Sequence, residues 1–330
     1  MKLHLHIGAH KTGTSMIQAS LGRASDNKKI SCYYPHTGRW TRDLSHNLFG
    51  FCFWPNNPFV KDAAQVCAAM LAEIKDAGAT IISSEILEKV PVRGDKLGLI
   101  AFLDAARKFG FDIKVLYVIR RHDIILDSIF KQNVASFQMR FRGSIDAFLR
   151  SDSALQRYDP IIDAWGELVG QENVHIAPYL EDHFEQTLDI VAKELELENF
   201  VFDSKQIVNP SLEGRFLSLK HYINNFKFDD SQNNSLGHLM RNAIKREKNS
   251  QRTTILDQSR YDYVRTLFQD DVDLVTNRMP KLFGAWREYE RPQGELFVPF
   301  DHAQALKVAD DVSYPELRKL ALSIMEGQVL

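Results

Sequence analysis

The chain has 330 residues, 44% of them hydrophobic and 25% charged, with a formal net charge of −2 at pH 7. This is the composition of a globular protein, and the charge balance excludes a general nucleic-acid binder, whose phosphate contacts need a surplus of Lys and Arg. The longest apolar runs, such as Val115 to Ile119, fall far short of the roughly 20 residues that cross a bilayer, so no membrane span is expected.

Leu3, Leu5 and Ile7 alternate with His4 and His6 and stop at Gly8, which predicts a first, half-buried strand beginning almost at the initiator methionine. This opening lacks the apolar region of a secretory signal, so the expected location is cytoplasmic. Gly8 to Thr14 is rich in turn residues, and Ser15 to Leu21 reads as an amphipathic helix. Cys32, Cys52 and Cys67 have neither C-x-x-C spacing nor the density of a disulfide scaffold and read as reduced thiols. Residues 62 to 77 predict a helix ended by Gly78, and Ala79 to Ser83 a short buried strand with Glu85 just past its end. Leu99 to Phe109 repeats the helical pattern, Gly110 closes it, and Ile113 to Ile119, apolar on both faces, belongs in the middle of a parallel sheet.

A helix over Asp159 to Val169, a strand at Val174 to Ala177 and a helix over Phe184 to Leu195 extend the alternation. The expected fold is therefore α/β, a P-loop-type doubly wound parallel sheet flanked by helices. From about residue 211 the patterns are mainly helical, including Ser211 to Phe226, Leu236 to Lys248 and a last helix introduced by Ser313, Pro315 and Glu316 at capping-box spacing. No linker composition separates the halves, which predicts a single domain with a nucleotide-binding core over 1–200 and a helical extension over 201–330.

In an open α/β sheet, ligands bind where strands end and helix N-termini point. Gly8 to Thr14 lies at such a place. Gly8 and Gly13 allow a tight backbone, Lys11 adds a point charge, and Thr12, Thr14 and Ser15 add hydroxyls, a set suited to a phosphate. The order differs from G-x-x-x-x-G-K-[ST], because Lys11 precedes Gly13, and the strand ending at Ile119 is followed by Arg120, Arg121 and His122 rather than by an acidic magnesium ligand.

His6-Ile7-Gly8-Ala9-His10-Lys11-Thr12-Gly13-Thr14-Ser15 resembles the 5′-phosphosulfate-binding loop of sulfotransferases that use 3′-phosphoadenosine-5′-phosphosulfate (PAPS), particularly bacterial members related to carbohydrate sulfotransferases. Val115-Leu116-Tyr117-Val118-Ile119-Arg120, continuing to Ser128, is similar to the family's 3′-phosphate motif, in which a strand ends in Arg and a Ser follows on the next helix. The likeness continues more weakly to about residue 225. The family's late Arg-Lys-Gly loop has no clear counterpart, with Gly214-Arg215 and Lys245-Arg246 as possible substitutes.

The resemblance implies transfer of a sulfuryl group from PAPS to a hydroxyl or amine of a small-molecule or carbohydrate acceptor, leaving adenosine 3′,5′-bisphosphate and requiring no metal. Cofactor-binding residues would be Gly8, Lys11, Thr12, Gly13, Thr14, Ser15, Arg120 and Ser128, with Tyr179 a candidate to stack on adenine. Lys11 would stabilise the leaving oxygen. Glu85, which resembles the carboxylate several carbohydrate sulfotransferases use, would be the general base, with His10 and His46 as rivals. The aromatic stretch from Tyr33 to Trp54, or the basic Lys131, Arg140 and Arg142, would line the acceptor site. Two other readings stand beside this one: a metal-dependent hydrolase using His4 and His6, and a non-catalytic protein that binds adenosine bisphosphate.

Overall fold

Short apolar strands alternating with amphipathic helices build an α/β fold in which β1 (Lys2–His6), β2 (Ala79–Ser83), β3 (Asp112–Ile119) and β4 (Val174–Pro178) form one parallel sheet in the order β2-β1-β3-β4. The structure is a computed structural model that describes residues 1–41, 43–136, 138–151, 157–202, 212–246, 252–287, 293–311 and 314–327. These residues fall in two compact units. The first comprises Met1–Arg121, Arg157–Val208 and Asp270–Arg287, and the second His122–Gln156, Asn209–Gln269 and Glu288–Leu330.

The sheet belongs to the first unit. Register pairs Leu5 with Ile82 on one side and with Val115 on the other, while Leu116 pairs with His175. The chain steps from β1 outward to β2 on one side, and from β3 outward to β4 on the other. Neighbouring β1 and β3 therefore mark the point where the winding reverses, the place where open parallel sheets leave a crevice beyond their strand ends. As the sequence predicts, β3 is an interior strand, and Val115, Tyr117, Val118 and Ile119 are fully buried.

Helices cover both faces. Met16, Ile17 and Leu21 of α1 (Thr14–Asp26) share a core with Ile81, Leu116, Val118, Ala177 and Leu188. Side chains alternate along a strand, so Tyr117 points the other way, toward Tyr158 at the start of the helix Asp159–Val169, with ring centroids 5.8 Å apart. The helices α2 (Ala63–Ile74) and α3 (Lys96–Lys108) start at Asp62 and Asp95, whose carboxylates accept from Gln65 N–H and Gly98 N–H, both at 2.9 Å. The half-buried β1 expected from the Leu–His alternation is instead buried on both faces, with His4 and His6 at 1% and 0% exposure.

The second unit is helical. Its core joins Leu126, Phe130 and Val134 of α4 (His122–Ala135) to Phe216, Leu217 and Ile223 of the helix Gly214–Ile223 and to Leu317, Ala321 and Ile324 of the helix Pro315–Met325. A two-residue parallel pairing, Thr253–Thr254 with Glu295–Leu296, is absent from the sequence reading because so short a run has no periodicity. Ser211 and Ser313 lie outside the described residues. The cap position of the last helix is Tyr314, with Pro315 in the first turn. Among the described residues no helix is long and apolar enough to cross a membrane.

Candidate functional site

The site grows from the ends of β1 and β3. Beyond β1 the ladder continues through Ile7 N–H to Leu116 O (3.0 Å), Val118 N–H to Gly8 O (2.7 Å) and Ala9 N–H to Val118 O (2.6 Å). The chain then leaves the sheet. Gly8 takes φ +90°, and a Cβ there would meet the Glu85 Cβ at 2.9 Å, so the loop presses directly on the second residue past β2. Gly13, at φ +76° and ψ 11°, forms the cap position of α1, where a Cβ would stand 2.7 Å from the Phe184 ring.

Between these two glycines Lys11 also adopts a left-handed φ of +68°. Left-handed residues in a short loop turn successive N–H groups toward one side, the arrangement that makes an anion nest. Ala9 N–H and Met16 N–H have carbonyl acceptors, and the fully buried Thr12 closes the turn over His10 and Lys11, whereas among the described residues the N–H groups of residues 10, 11 and 13 to 15 have no main-chain acceptor. Main-chain donors without acceptors gathered at a helix start are what a phosphate or sulfate cradle presents.

Side-chain placement refines the expected ligand set. The Thr12 hydroxyl donates to Ala9 O at 2.7 Å and is fully buried, so it braces the loop from inside. Thr14 is buried, Ser15 is half-buried and His10 is exposed. Lys11 is half-buried, and burial, then the Arg120 charge, lowers its ammonium below the ordinary range.

Arg120, the residue after β3, comes to this loop. Its Nη1 donates to Lys11 O at 2.9 Å and its Nη2 to Glu181 Oε1, while its guanidinium lies 4.6 Å from the centre of the Tyr179 ring. The Tyr158 hydroxyl donates to the Arg120 carbonyl and fixes the main chain at the strand end. Tyr179, whose N–H donates to Ile119 O at 2.7 Å, also contacts Phe184 at 5.1 Å between ring centres. It is thus beside the arginine and Gly13.

Glu85 begins a single 3₁₀ turn, Glu85–Leu87, capped by Ser84 rather than by itself. Its carboxylate accepts from Gln18 Nε2 at 2.8 Å and Asn47 Nδ2 at 3.1 Å. Burial pushes its pKa upward, but His10 and these donors outweigh it and hold the carboxyl below the usual range. His46 is committed elsewhere: Nε2 donates to Pro35 O at 2.9 Å, Nδ1 accepts from Ser83 N–H at 3.1 Å, and burial depresses its pKa to about 3. Both ring nitrogens serve the main chain, which removes it as a base.

The remaining expectations divide. Gly8, His10, Lys11, Thr12, Gly13, Thr14, Ser15, Glu85, Arg120 and Tyr179 all belong to the first unit, while Ser128 lies half-buried on α4 of the second. Gly214-Arg215 opens a helix and Lys245-Arg246 ends one, both in the second unit. Lys131 donates to both Glu213 oxygens at 2.8 Å, and Arg140 donates to the Phe226 and Phe228 carbonyls, so these two bases serve the interior of their unit. Phe49 and Phe53 are core residues against Phe102, whereas Trp40, Phe51 and the 47%-exposed Phe59 form a cluster that reaches the surface.

The buried His6 holds Ser83 Oγ at 2.7 Å through Nδ1. Among the described residues no group of three or more His, Cys, Asp or Glu side chains is arranged to hold a metal ion. Gln18, Asn47, Tyr158, Phe184 and Glu181, which shape the site, were not singled out by sequence reasoning. No protein-family model matches the chain, and no curated protein matches it.

Proposed function

We propose that the chain is a PAPS-dependent sulfotransferase of P-loop type, moving a sulfuryl group to a hydroxyl or amine of a small-molecule or carbohydrate acceptor. The observation that carries this reading is the contact between Arg120 and Lys11, residues 109 positions apart that head the two phosphate-binding motifs of the sequence. One bisphosphorylated nucleotide needs both motifs within its own length. The N–H donors of residues 10, 11 and 13 to 15 suit the 5′-phosphosulfate end, and the guanidinium, backed by Tyr179, suits the 3′-phosphate.

In the transfer, the bond from sulfur to the bridging phosphate oxygen breaks as a new bond forms from sulfur to the acceptor oxygen or nitrogen. Negative charge gathers on the leaving phosphate. The loop amides and the Lys11 ammonium stabilise it, and an ammonium with lowered pKa is a readier proton donor to that oxygen. On the acceptor side, Glu85 and His10 form the pair that takes the acceptor proton. The carboxylate is ionised at neutral pH and oriented by Gln18 and Asn47, with His10 as its charge partner.

Calorimetric titration with adenosine 3′,5′-bisphosphate beside ATP tests the nucleotide, and release of labelled sulfate from PAPS onto sugars, phenols and amines tests turnover. The bisphosphate should bind in preference to ATP. Arg120→Ala should weaken the bisphosphate far more than adenosine 5′-phosphate, and equal losses for the two would overturn the assignment of that residue.

A further inference from the structure

Arg120 already faces one anion. Its Nη2 donates to Glu181 through a single carboxylate oxygen, while Nη1 is held by the Lys11 carbonyl. Nε and Nη2 lie on one edge of the planar guanidinium, an edge suited to two oxygens of one anion. Nε is buried and has no acceptor among the described residues, so Glu181 uses half of that edge. The two partners also differ in access to water: the arginine side chain is 10% exposed and the glutamate side chain 25%. The carboxylate has a route to solvent, and the guanidinium is held by Tyr179, Lys11 and the strand end.

We propose that Glu181 is a displaceable counter-anion of Arg120 and, through it, a specificity-determining residue that admits doubly charged phosphate monoesters and holds off singly charged anions. The inference rests on the nucleotide reading above, in which Arg120 meets the 3′-phosphate. A phosphate monoester brings close to two negative charges and three acceptor oxygens, enough to take both Nε and Nη2 and to outcompete one carboxylate oxygen. A singly charged group only exchanges one negative charge for another. Its nucleotide then binds through the 5′ end alone, with Glu181 still seated on the arginine.

Three ligands separate the outcomes: adenosine 3′,5′-bisphosphate, the same molecule with its 3′-phosphate methylated to a singly charged diester, and adenosine 5′-phosphate. With wild-type protein, calorimetry should find the diester binding no more tightly than adenosine 5′-phosphate, and the bisphosphate far more tightly than either. Glu181→Gln and Glu181→Ser, checked for native circular dichroism, should each bind the bisphosphate about tenfold more tightly. They should also bind the diester more tightly than adenosine 5′-phosphate, whose own affinity stays within about twofold. Weaker bisphosphate binding in both variants, or the same gain for all three ligands, overturns the proposal. So does a wild-type protein that binds diester and bisphosphate alike, a result that needs no variant to fold. Failure of the underlying reading looks different, because wild-type protein would then bind bisphosphate and adenosine 5′-phosphate equally.

Discussion

Lys11 shares its left-handed backbone with Gly8 and Gly13 but alone in the loop adds to it a half-buried ammonium and a carbonyl held by Arg120. Lys11→Ala removes the charge, so sulfuryl transfer should fall by about 10²- to 10³-fold, the usual loss for one well-aimed donor, with the thermal midpoint little changed. Unaltered turnover would exclude the role given to it. Gly8→Ala should cost stability as well. It adds a methyl group 2.9 Å from the Glu85 Cβ at φ +90°, so chemical denaturation should register a loss of about 1–3 kcal/mol, along with weakened nucleotide binding. Both glycines, Lys11 and Arg120 were legible in the sequence because turn chemistry and strand ends are local signals. The inward hydroxyl of Thr12 was not, since its partner is set by how the loop folds back. Gln18 and Asn47 were also hidden, because they reach Glu85 from 67 and 38 positions away.

At the level of elements, β3 and its surroundings depend on a polar contact inside an apolar layer. The Tyr117 hydroxyl donates to Glu88 Oε1 at 2.7 Å, and Glu88 is only 1% exposed. Tyr117→Phe leaves that carboxylate without this donor, so urea denaturation should show a loss of about 1–3 kcal/mol although one oxygen atom alone is removed. An unchanged midpoint would mean that water or another side chain replaces the hydroxyl. The elements themselves were well marked in the sequence. The strand Ala79–Ser83 and the helix Asp159–Val169 have the bounds their apolar periodicity predicts, with Gly170 at φ +93° ending the helix. By contrast, the burial of His4 and His6 contradicts simple alternation, because helices cover both faces of the sheet and not one. The pairing of β1 with both β2 and β3 depends on contacts more than 70 positions apart, which periodicity cannot encode.

Across the whole chain the two units should answer pH differently. In the first, burial lowers the pKa of His4 and His6 to about 4 and of His46 to about 3, against an ordinary 6.5. Between pH 6.5 and 4 the unfolded chain binds protons that the folded unit refuses, so its stability is full above pH 6.5 and falls as the pH drops, by roughly 3 kcal/mol per histidine. In the second, Lys220 is fully buried among apolar side chains, with Asn224 as its hydrogen-bond acceptor, and burial followed by the Arg140 charge lowers its pKa from 10.5 to about 7. Here too the unfolded chain holds the extra proton, now between pH 7 and 10.5, so stability should rise with pH across that window. Lys220→Met should raise stability at pH 7 by a few kcal/mol and flatten the alkaline slope. Hydrogen exchange resolved by unit can follow both trends, and a pH-independent second unit in the unaltered protein would refute the account of Lys220.

The open N–H groups of residues 10, 11 and 13 to 15 have a consequence that needs no catalysis to observe. Amide protons without acceptors trade with deuterium almost at once in the ligand-free protein, whereas those of the neighbouring sheet, such as Ala9 and Val118, are retained. An anion seated on the loop would close that gap. The difference supplies a residue-resolved footprint, readable by mass spectrometry before any acceptor is known, that ranks candidate ligands by how many of these protons each one shields.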